Sequence, residues 1–206
     1  MFKTTKQHKK YWESRKIDWN KAYFSTWTHP HRILIINYLR SIRFGSLYEI
    51  GCAAAANLFV INQAFPRVRV GGCDVNNDAL REGIKHLPRN AFLQEGHAED
   101  LFMSDKSTDV VLTDMMCIYL SPRSMNRFIK EAKRITRSHV IFVEFNSESL
   151  WERLRIWWET GYYVHNFRKL LAQNGFYDVI ICPMKEQDWP GGGLQPKVGA
   201  IITAKI

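Results

Sequence analysis

The sequence predicts a doubly wound α/β fold in a single domain. Strand-like and helix-like segments alternate along most of the 206 residues. The strand-like segments are continuous apolar runs instead of alternating apolar and polar residues, which indicates a sheet covered on both faces. Strands that alternate with helices form a mostly parallel sheet with right-handed crossover connections. We therefore expect a mainly parallel sheet between two layers of helices.

Apolar runs and helix-boundary residues define the elements of the first half. Pro66 ends the first helix that follows a strand, and either Asn77 or Asp78 is the expected N-cap of the next helix. The predicted elements are a helical N-terminal region, a strand near 46–51, a helix near 54–65, a strand near 68–74, a helix near 78–87 and a short strand near 91–94.

The second half continues the alternation and then departs from it. Ser121 and Pro122 are typical of an N-cap and of the first position of a helix. No helix is expected between the last two strand-like runs, so they should pair antiparallel as a hairpin at the sheet edge, giving seven strands. The predicted elements are a strand at 108–114, a helix near 122–135, a strand at 139–145 and strands at 176–183 and 197–205.

Charge and composition restrict the class of protein. The formal net charge is +9, from 29 basic and 20 acidic residues. A basic balance can attract anionic substrates, including nucleic acid, but the sequence has no block of five or six like charges, which favours a solvated basic surface. No apolar run reaches the roughly 18 residues of a membrane span, and Met1 to Lys10 has no apolar core of a signal peptide. We expect a cytoplasmic protein that does not bind membranes.

The four cysteines give no sign of a metal site or of disulfides. They are scattered in apolar or strand-like segments without a Cys-x-x-Cys pair. Buried, reduced thiols are expected for all of them, namely Cys52, Cys73, Cys117 and Cys182.

The segment from Glu49 to Asn57 predicts a ligand site. An acidic residue and Gly51 close an apolar run, and small residues then lead into a helix, as in loops that bind nucleotide-type ligands. Asp74 ends the next strand 23 residues after Gly51, where a carboxylate can accept two hydrogen bonds from a ribose diol. The alternative is that Asp74 caps the turn that follows.

Four segments in this order resemble the class I S-adenosylmethionine-dependent methyltransferases, and the resemblance covers almost the whole chain. It implies a Rossmann-like, doubly wound, seven-stranded sheet, mostly parallel with an antiparallel C-terminal hairpin strand, and S-adenosyl-L-methionine as the cofactor. The segments are Glu49 to Ala55, Gly72 to Asn76, Glu95 to Leu101 and Thr108 to Asp114.

The resemblance also implies roles for parts of the chain. Residues 1–44 would form a helical lid and substrate region, residues 45–146 the cofactor-binding core, and residues 147–206 a substrate-side insertion and the hairpin. Tyr11 to Arg15, His29 to Arg32 and Trp189 to Gly193 are similar to segments of small stand-alone methyltransferases. The implied cofactor-binding residues are Tyr11, Glu49, Gly51, Cys52, Ala53, Asp74, Val75, Asn76, Ala98, Glu99, Asp114 and Met115.

Alanine stands at positions 53 and 55, where glycine would be expected. In a pyrophosphate-binding loop the added methyl groups would keep the backbone away from the phosphates. S-adenosylmethionine has no phosphate, and Ala53 favours the helix that follows. The alanines therefore favour this cofactor over NAD, the alternative being a scaffold that keeps the fold without binding.

Methyl transfer needs a general base only if the acceptor must lose a proton, so no catalytic motif is required. The candidates for such a residue are His29, His31 and Tyr119. Their structural alternatives are that His29 caps a helix started by Pro30 and that His31 lies on its polar face. Arg32 could hold an acidic substrate or the cofactor carboxylate.

The expected reaction is methyl transfer to a small molecule, with no metal. The net charge also admits an RNA or other nucleic-acid acceptor, but the residues after Asp114 lack the Asn/Asp-Pro-Pro-aromatic signature of base amino-methylases. A dehydrogenase would need the pattern Gly-x-Gly-x-x-Gly, which this loop lacks. The hypothesis of a non-catalytic binding scaffold is supported only by the alanines at positions 53 and 55. The aromatic segment 150–158 either stacks on a planar substrate or forms an amphipathic helix that buries its tryptophans.

Overall fold

Helices form the N-terminal region. The structure is a computed structural model that describes residues 4–206, so the first three residues of the segment tested for a signal peptide lie outside the described residues. Helix α1 spans Thr5–Glu13, a π-helical turn spans Asn20–Phe24, and α2 spans Pro30–Arg40. Thr4 and Gln7 form a capping box at the start of α1, which fixes where this helix begins.

The sheet has seven strands in the order β3-β2-β1-β4-β5-β7-β6. The first five strands in the chain are parallel to one another, and β7 is antiparallel to both of its neighbours, β5 and β6. This confirms the predicted sheet and its antiparallel C-terminal strands. The strands are β1 Ser46–Ile50, β2 Arg69–Asp74, β3 Phe92–Glu95, β4 Thr108–Asp114, β5 Thr136–Phe145, β6 Tyr177–Pro183 and β7 Gly199–Lys205.

The central strands are buried on both faces, as their continuous apolar runs predict. Tyr48 and Val111 belong to the core on one face, where Phe128 of helix α5 (Pro122–Ile135) packs. Leu47 and Val110 belong to the core on the other face, together with α2 and α3 (Ala56–Ala64). Neighbouring residues of one strand thus serve opposite cores, and polar residues are confined to the strand ends.

Helix boundaries agree with the sequence at α5 and differ at α4. Ser121 accepts a hydrogen bond from the Ser124 amide and Pro122 occupies the first turn of α5, as predicted. Helix α4 spans Asn77–Gly83 and continues as a 3₁₀ turn, Ile84–His86. Its N-cap is Asn76, which accepts from the Ala79 amide, so the prediction of Asn77 or Asp78 is wrong by one or two residues.

The C-terminal part contains three helices: α6 Leu150–Thr160, α7 Phe167–Gln173 and α8 Gln195–Val198. The last of these lies between β6 and β7, where no helix was expected, because Pro196 starts a single turn directly before the strand. Cys182 is exposed, contrary to the prediction, since β6 is the edge strand.

Helix α6 exposes two of its three tryptophans, and the third, Trp157, is half-buried. Trp151 is 82% exposed and Trp158 is 69% exposed, whereas Ile156 is the side chain that α6 buries. Within residues 4–206, no helix has the length and apolar character that crossing a bilayer requires.

Candidate active site

A cavity of about 480 Å³ lies at the carboxyl ends of β1, β2 and β4. The N-terminal region covers it with Trp12 of α1, Tyr23 of the π-helical turn and His29 at the start of α2. On the other side it is closed by Tyr162 and by Trp189 of the loop between β6 and β7. Ligands of open α/β sheets bind at this edge, so the cavity is the candidate active site.

Most of the residues predicted for cofactor binding or catalysis line this one cavity. The chain brings them together from five separate segments, from the start of α2 to the loop after β4, because the strands end at a common edge. The predicted residues in the wall are His29, His31, Glu49, Gly51, Cys52, Ala53, Asp74, Val75, Ala98, Glu99, Asp114, Met115 and Tyr119.

Tyr11 and Asn76 do not line the cavity, although the sequence placed them in the cofactor site. Tyr11 is 41% exposed and packs against Arg15, while its neighbour Trp12 lies in the wall. Asn76 is buried as the cap of α4, and its amide donates to the backbone carbonyls of Trp12 (2.7 Å) and Arg15 (2.9 Å). Both residues therefore act on the site through the position of α1.

The loop after β1 is strained at its alanines. Gly51 has φ 78°, and a Cβ there would lie 2.5 Å from Met116 Cγ. Ala53 and Ala55 also have positive φ, 45° and 60°, and α3 begins only at Ala56, so the expectation that Ala53 favours this helix is wrong. Positive φ disfavours residues with a Cβ, and the loop keeps this shape because its own hydrogen bonds hold it.

The amide groups of this loop are used within the protein. Gly51 and Cys52 both donate to the Cys73 carbonyl, at 2.8 and 3.0 Å. Ala53 donates to Asp74 Oδ2 at 2.9 Å. These three N–H groups are thus not free to bind an anion, contrary to the nucleotide-loop interpretation.

Asp74 links the ends of β1 and β2. Its second oxygen, Oδ1, accepts from the Asn76 amide at 2.9 Å, so both oxygens already hold the backbone, as the capping alternative predicts. Burial raises the pKa of Asp74 while these amide bonds oppose the shift. Each carboxylate oxygen has a further lone pair, which leaves acceptors for a ligand diol.

The segment after β3 presents Ala98 and Glu99 to the cavity. Glu99 pairs with Arg127 of α5, which donates from Nε to Oε1 at 2.7 Å. Since both guanidinium contacts of this pair go to Oε1, Oε2 is left for a ligand. His97 contacts Lys9 Nζ through its Nε2 at 2.9 Å, which ties this segment to α1.

A buried polar network joins β1, α3, β4 and α2. Asn57 Nδ2 donates to Glu49 Oε1 at 2.7 Å and to Asp114 Oδ2 at 2.9 Å. The same Asp114 oxygen contacts His31 Nε2 at 2.8 Å. Burial alone would raise the pKa of Asp114, but the charge and hydrogen bond of His31 lower it below its ordinary value. His31 is thus buried in the site, and the prediction of a polar surface position is wrong.

Several residues of the site were missed by the sequence reasoning. Asn57 is the second residue of α3 and the polar one on a buried side that is otherwise apolar, which was an available signal. Phe145 and Tyr162 are aromatic residues of the wall that no local pattern distinguishes from core residues. Trp189 stacks on His31, with ring centroids 4.3 Å apart.

Comparison with protein families decides between a methyltransferase and a dehydrogenase. Residues 47–139 match the family model described as a methyltransferase domain. Residues 47–139 are a methyltransferase domain. This confirms the family that the four sequence segments predicted, and the matched residues run from β1 into β5. No curated protein matches the chain.

Solved structures share the fold of this methyltransferase domain at low sequence identity. The PH0226 protein of Pyrococcus horikoshii OT3 is 17% identical, with a TM-score of 0.68 over 95% of this chain and 98% of that one. A methyltransferase of Thermotoga maritima, described as a possible histamine N-methyltransferase, is 16% identical, with a TM-score of 0.62 over 90% and 93%. Magnesium protoporphyrin IX methyltransferase of Synechocystis PCC 6803, solved with bound SAH, is 13% identical, with a TM-score of 0.68 over 96% and 97%.

S-adenosylmethionine is the cofactor that goes with this fold, and the donors and acceptors of the cavity fit it. Arg32 Nε is a buried donor without a partner among the described residues. Glu49 Oε2 and Asp114 Oδ1 are buried acceptors that likewise lack a partner in residues 4–206. Buried polar atoms are nearly always satisfied, so these three indicate a ligand that carries both a carboxylate and an ammonium group. The methionine end of the cofactor carries both.

Proposed function

We propose that the protein transfers a methyl group from S-adenosylmethionine to a small-molecule acceptor in the cytoplasm. The observation that carries this proposal is that three charged side chains of the cavity wall have buried atoms without a partner among the described residues, Arg32 Nε, Glu49 Oε2 and Asp114 Oδ1. A zwitterionic amino-acid end would satisfy donor and acceptors together. NAD has no such end, and its pyrophosphate would meet the methyl group of Ala53 in the cavity wall.

Other wall residues would hold the rest of the cofactor. Asp74 would accept from the ribose hydroxyls with the lone pairs that Ala53 and Asn76 leave. Glu99 Oε2, beside Ala98, would accept from the adenine amino group. When bound, the cofactor supplies a methyl carbon on a sulfonium: the electron pair of the acceptor forms the new bond while the carbon–sulfur bond breaks and its pair stays on sulfur.

This chain would contribute positioning and exclusion of water. The cavity is covered by α1, the π-helical turn and Trp189, and its wall is rich in aromatic rings. Orienting two reactants in such a site can supply several kcal/mol of the activation free energy, on the order of 7–11 kcal/mol at best. No residue needs to form a covalent intermediate, because the donor is already activated.

A small acceptor agrees with the enclosure of the cavity. About 480 Å³ lies within the usual range for small-molecule sites and would have to hold both cofactor and acceptor. Acidic side chains in the wall outnumber the basic pair Lys9 and Arg32. The wall therefore gives no support for an anionic acceptor, which the net charge alone suggested.

A nucleic-acid acceptor remains a second candidate because of two surface features. The net charge is +9, and α6 exposes Trp151 and Trp158 outside the cavity, where they could stack on bases. An electrophoretic shift with single-stranded RNA that persists at physiological salt would support this candidate. Binding confined to low salt would leave the small-molecule proposal in place.

Calorimetric titration with S-adenosylmethionine, S-adenosylhomocysteine and NAD tests the cofactor. We expect the first two to bind and NAD not to bind. Asp74→Ala should weaken binding by roughly 10- to 100-fold, the equivalent of one or two charge-assisted hydrogen bonds. The control is Asp78→Ala, which removes an exposed carboxylate that pairs with Arg81 and should leave affinity unchanged.

Asp74 also holds the backbone, so a second variant separates binding from folding. Asp74→Asn keeps the shape and one acceptor, and its thermal unfolding should match the wild type more closely than that of Asp74→Ala. Binding of NAD without either sulfur compound would contradict the proposed function.

A further inference from the structure

Three side chains form a hydrogen-bonded row along the cavity wall. Asp114 Oδ2 lies 2.8 Å from His31 Nε2, and His31 Nδ1 lies 2.6 Å from His29 Nδ1. His31 is 2% exposed, and both of its ring nitrogens are occupied by these contacts. His29 is only half-buried and lines the cavity, so the row runs from a buried carboxylate to an accessible imidazole.

The contacts determine which nitrogen of each ring carries the proton when both rings are neutral. The Asp114 carboxylate only accepts, so His31 Nε2 must donate to it. His31 Nδ1 is then an acceptor, and His29 Nδ1 must be the donor that it meets. His29 Nε2 is left with a free lone pair on the side of the ring that faces away from His31.

Neighbouring groups hold the two rings in place. Trp189 stacks on His31 at an interplanar angle of 24° and lies against His29 with ring centroids 4.9 Å apart. His29 is the N-cap residue of α2, and its carbonyl accepts from the Arg32 amide at 3.1 Å. Arg32 in turn donates from Nη1 to the Thr26 carbonyl at 2.7 Å, which fixes the approach to α2.

The electrostatic surroundings keep His29 unprotonated at physiological pH. Burial lowers its pKa, and the neighbouring Arg32 lowers it further, while Asp114 opposes the shift. With His31, these are the charged and titratable groups that face His29 from α2 and from the end of β4. Its base form is therefore the one present when an acceptor arrives.

The other catalytic candidates are less suited to accept a proton. Burial raises the pKa of Tyr119 far above its ordinary value, so its hydroxyl stays protonated and can only donate or accept a hydrogen bond. Tyr23, across the cavity, has its pKa raised to about 12 by burial and by Asp74 and Asp114. His31 is closed off by its two partners.

We propose that His29 is the general base of the reaction and that His31 and Asp114 are its positioning residues. The acceptor is then a nucleophile that bears a proton, namely a hydroxyl, a thiol or an N–H group. This inference rests on the proposed methyl transfer. The acceptor's bond to hydrogen breaks, its electron pair stays on the nucleophilic atom for the new bond to carbon, and the proton goes to His29 Nε2. The imidazolium so formed is stabilised through His31 by the Asp114 carboxylate and then releases its proton to water.

Imidazole ¹⁵N NMR of the whole protein tests the hydrogen-bonded row of Asp114, His31 and His29, and it needs no methyl-accepting substrate. Two-bond ¹H–¹⁵N spectra report which ring nitrogen carries hydrogen, and the variants His29→Gln and His31→Gln assign the signals. At pH 7.5 we expect hydrogen on Nδ1 of His29 and on Nε2 of His31. Asp114→Ala removes the acceptor and should abolish the preference at both rings, whereas Asp114→Asn keeps one acceptor oxygen and should retain it in part. His86, which pairs with Glu82, is the control ring and should be unaffected.

Two results would overturn the assignment: hydrogen on Nε2 of His29, or a His29 ring still protonated at pH 7.5. Calorimetry with S-adenosylhomocysteine on the same samples keeps the two proposals apart. If S-adenosylhomocysteine binds while the tautomers are reversed, the assignment of His29 as the general base is wrong, and the proposed methyl transfer is unaffected. If it does not bind, the proposed function and the base fail together.

Discussion

Ala53 and Ala55 hold left-handed backbone conformations at the entrance to α3, with φ of 45° and 60°. For a residue with a Cβ this region costs on the order of 1–2 kcal/mol. The loop compensates with the hydrogen bonds of Gly51 and Cys52 to the Cys73 carbonyl. The strain is therefore stored beside the cavity, in a segment that the rest of the domain holds rigidly.

Ala53→Gly should stabilise the protein or leave it unchanged. Glycine adopts positive φ without a steric penalty, and this gain exceeds its larger loss of backbone entropy by about 0.5–1 kcal/mol. Urea unfolding measures the difference. Ala56→Gly is the matched control: Ala56 begins α3 with a buried methyl group, so this change should destabilise by about 1 kcal/mol or more. If the Ala53→Gly variant is less stable than the wild type, the backbone at Ala53 is not strained.

Glu144 is a buried carboxyl group beneath the loop that follows β4. Oε1 accepts from the amides of Met116 and Cys117 at 2.9 and 3.0 Å. Burial nevertheless raises its pKa to about 7 from an ordinary value of 4.5. The folded protein thus holds a proton there in a pH range in which the unfolded chain has lost it.

Glu144→Gln should change the pH dependence of stability. Between pH 4.5 and about 7 the native state binds the extra proton, so this group's contribution to the free energy of unfolding falls as pH rises. The slope is about −1.4 kcal/mol per pH unit, and the total is about 3 kcal/mol. Subtracting the unfolding free energies of variant and wild type at each pH isolates this slope, because the buried His165, whose pKa is lowered to about 4, contributes equally to both. A difference in unfolding free energy that does not change with pH would contradict the raised pKa of Glu144.

At the scale of elements, α1 is a cover attached by a few contacts. Asn76 donates to the carbonyls of Trp12 and Arg15, and Thr5 Oγ1 accepts from the Ser121 amide at 2.8 Å. Lys9 reaches His97 from the middle of the helix. Of the α1 residues, only His8 is buried, and Trp12 is half-buried against Tyr119. The polar contacts therefore share with these two rings in fixing the position of the helix.

Asn76→Asp should loosen α1 while keeping α4. The carboxylate still accepts from the Ala79 amide and caps α4, but it cannot donate to Trp12 and Arg15. We expect faster amide hydrogen exchange in residues 5–16 and roughly tenfold weaker binding of S-adenosylhomocysteine. The control Asn77→Asp makes the same change one residue on, at an exposed side chain that contacts Glu95. Unchanged exchange in α1 would show that other contacts hold it.

Elements whose signals are local were predicted well. The apolar run of β4 and the Ser121–Pro122 start of α5 were placed to the residue. Two features depend on neighbours that are distant in sequence. The composition of segment 150–158 leaves open which tryptophans are exposed, and in the fold Trp151 and Trp158 are. The left-handed turn at Ala53 depends on Asp74, 21 residues away.

At the scale of the whole molecule, the order of strands and helices followed from the sequence, while the site depends on contacts across the fold. The alternation of apolar runs and helices specifies a parallel sheet, and a parallel sheet brings Gly51, Asp74 and Asp114 to one edge. The His31–Asp114 contact joins residues 83 apart in sequence. No periodicity or spacing predicts such a pair. The candidate site residues can therefore be named from the sequence, but their hydrogen-bond partners are known only from the fold.

Strand β6 leaves the ribosome before the strand it pairs with. Among the described strands β6 pairs with β7, and β7 is also the strand that joins it to β5. A nascent chain that has grown only through Pro183 therefore has a five-stranded sheet and an unpaired apolar segment, since translation proceeds from the N-terminus at about 5–20 residues per second. The seven residues of β7 then enter between β5 and the β6 segment, so the sheet closes from its interior.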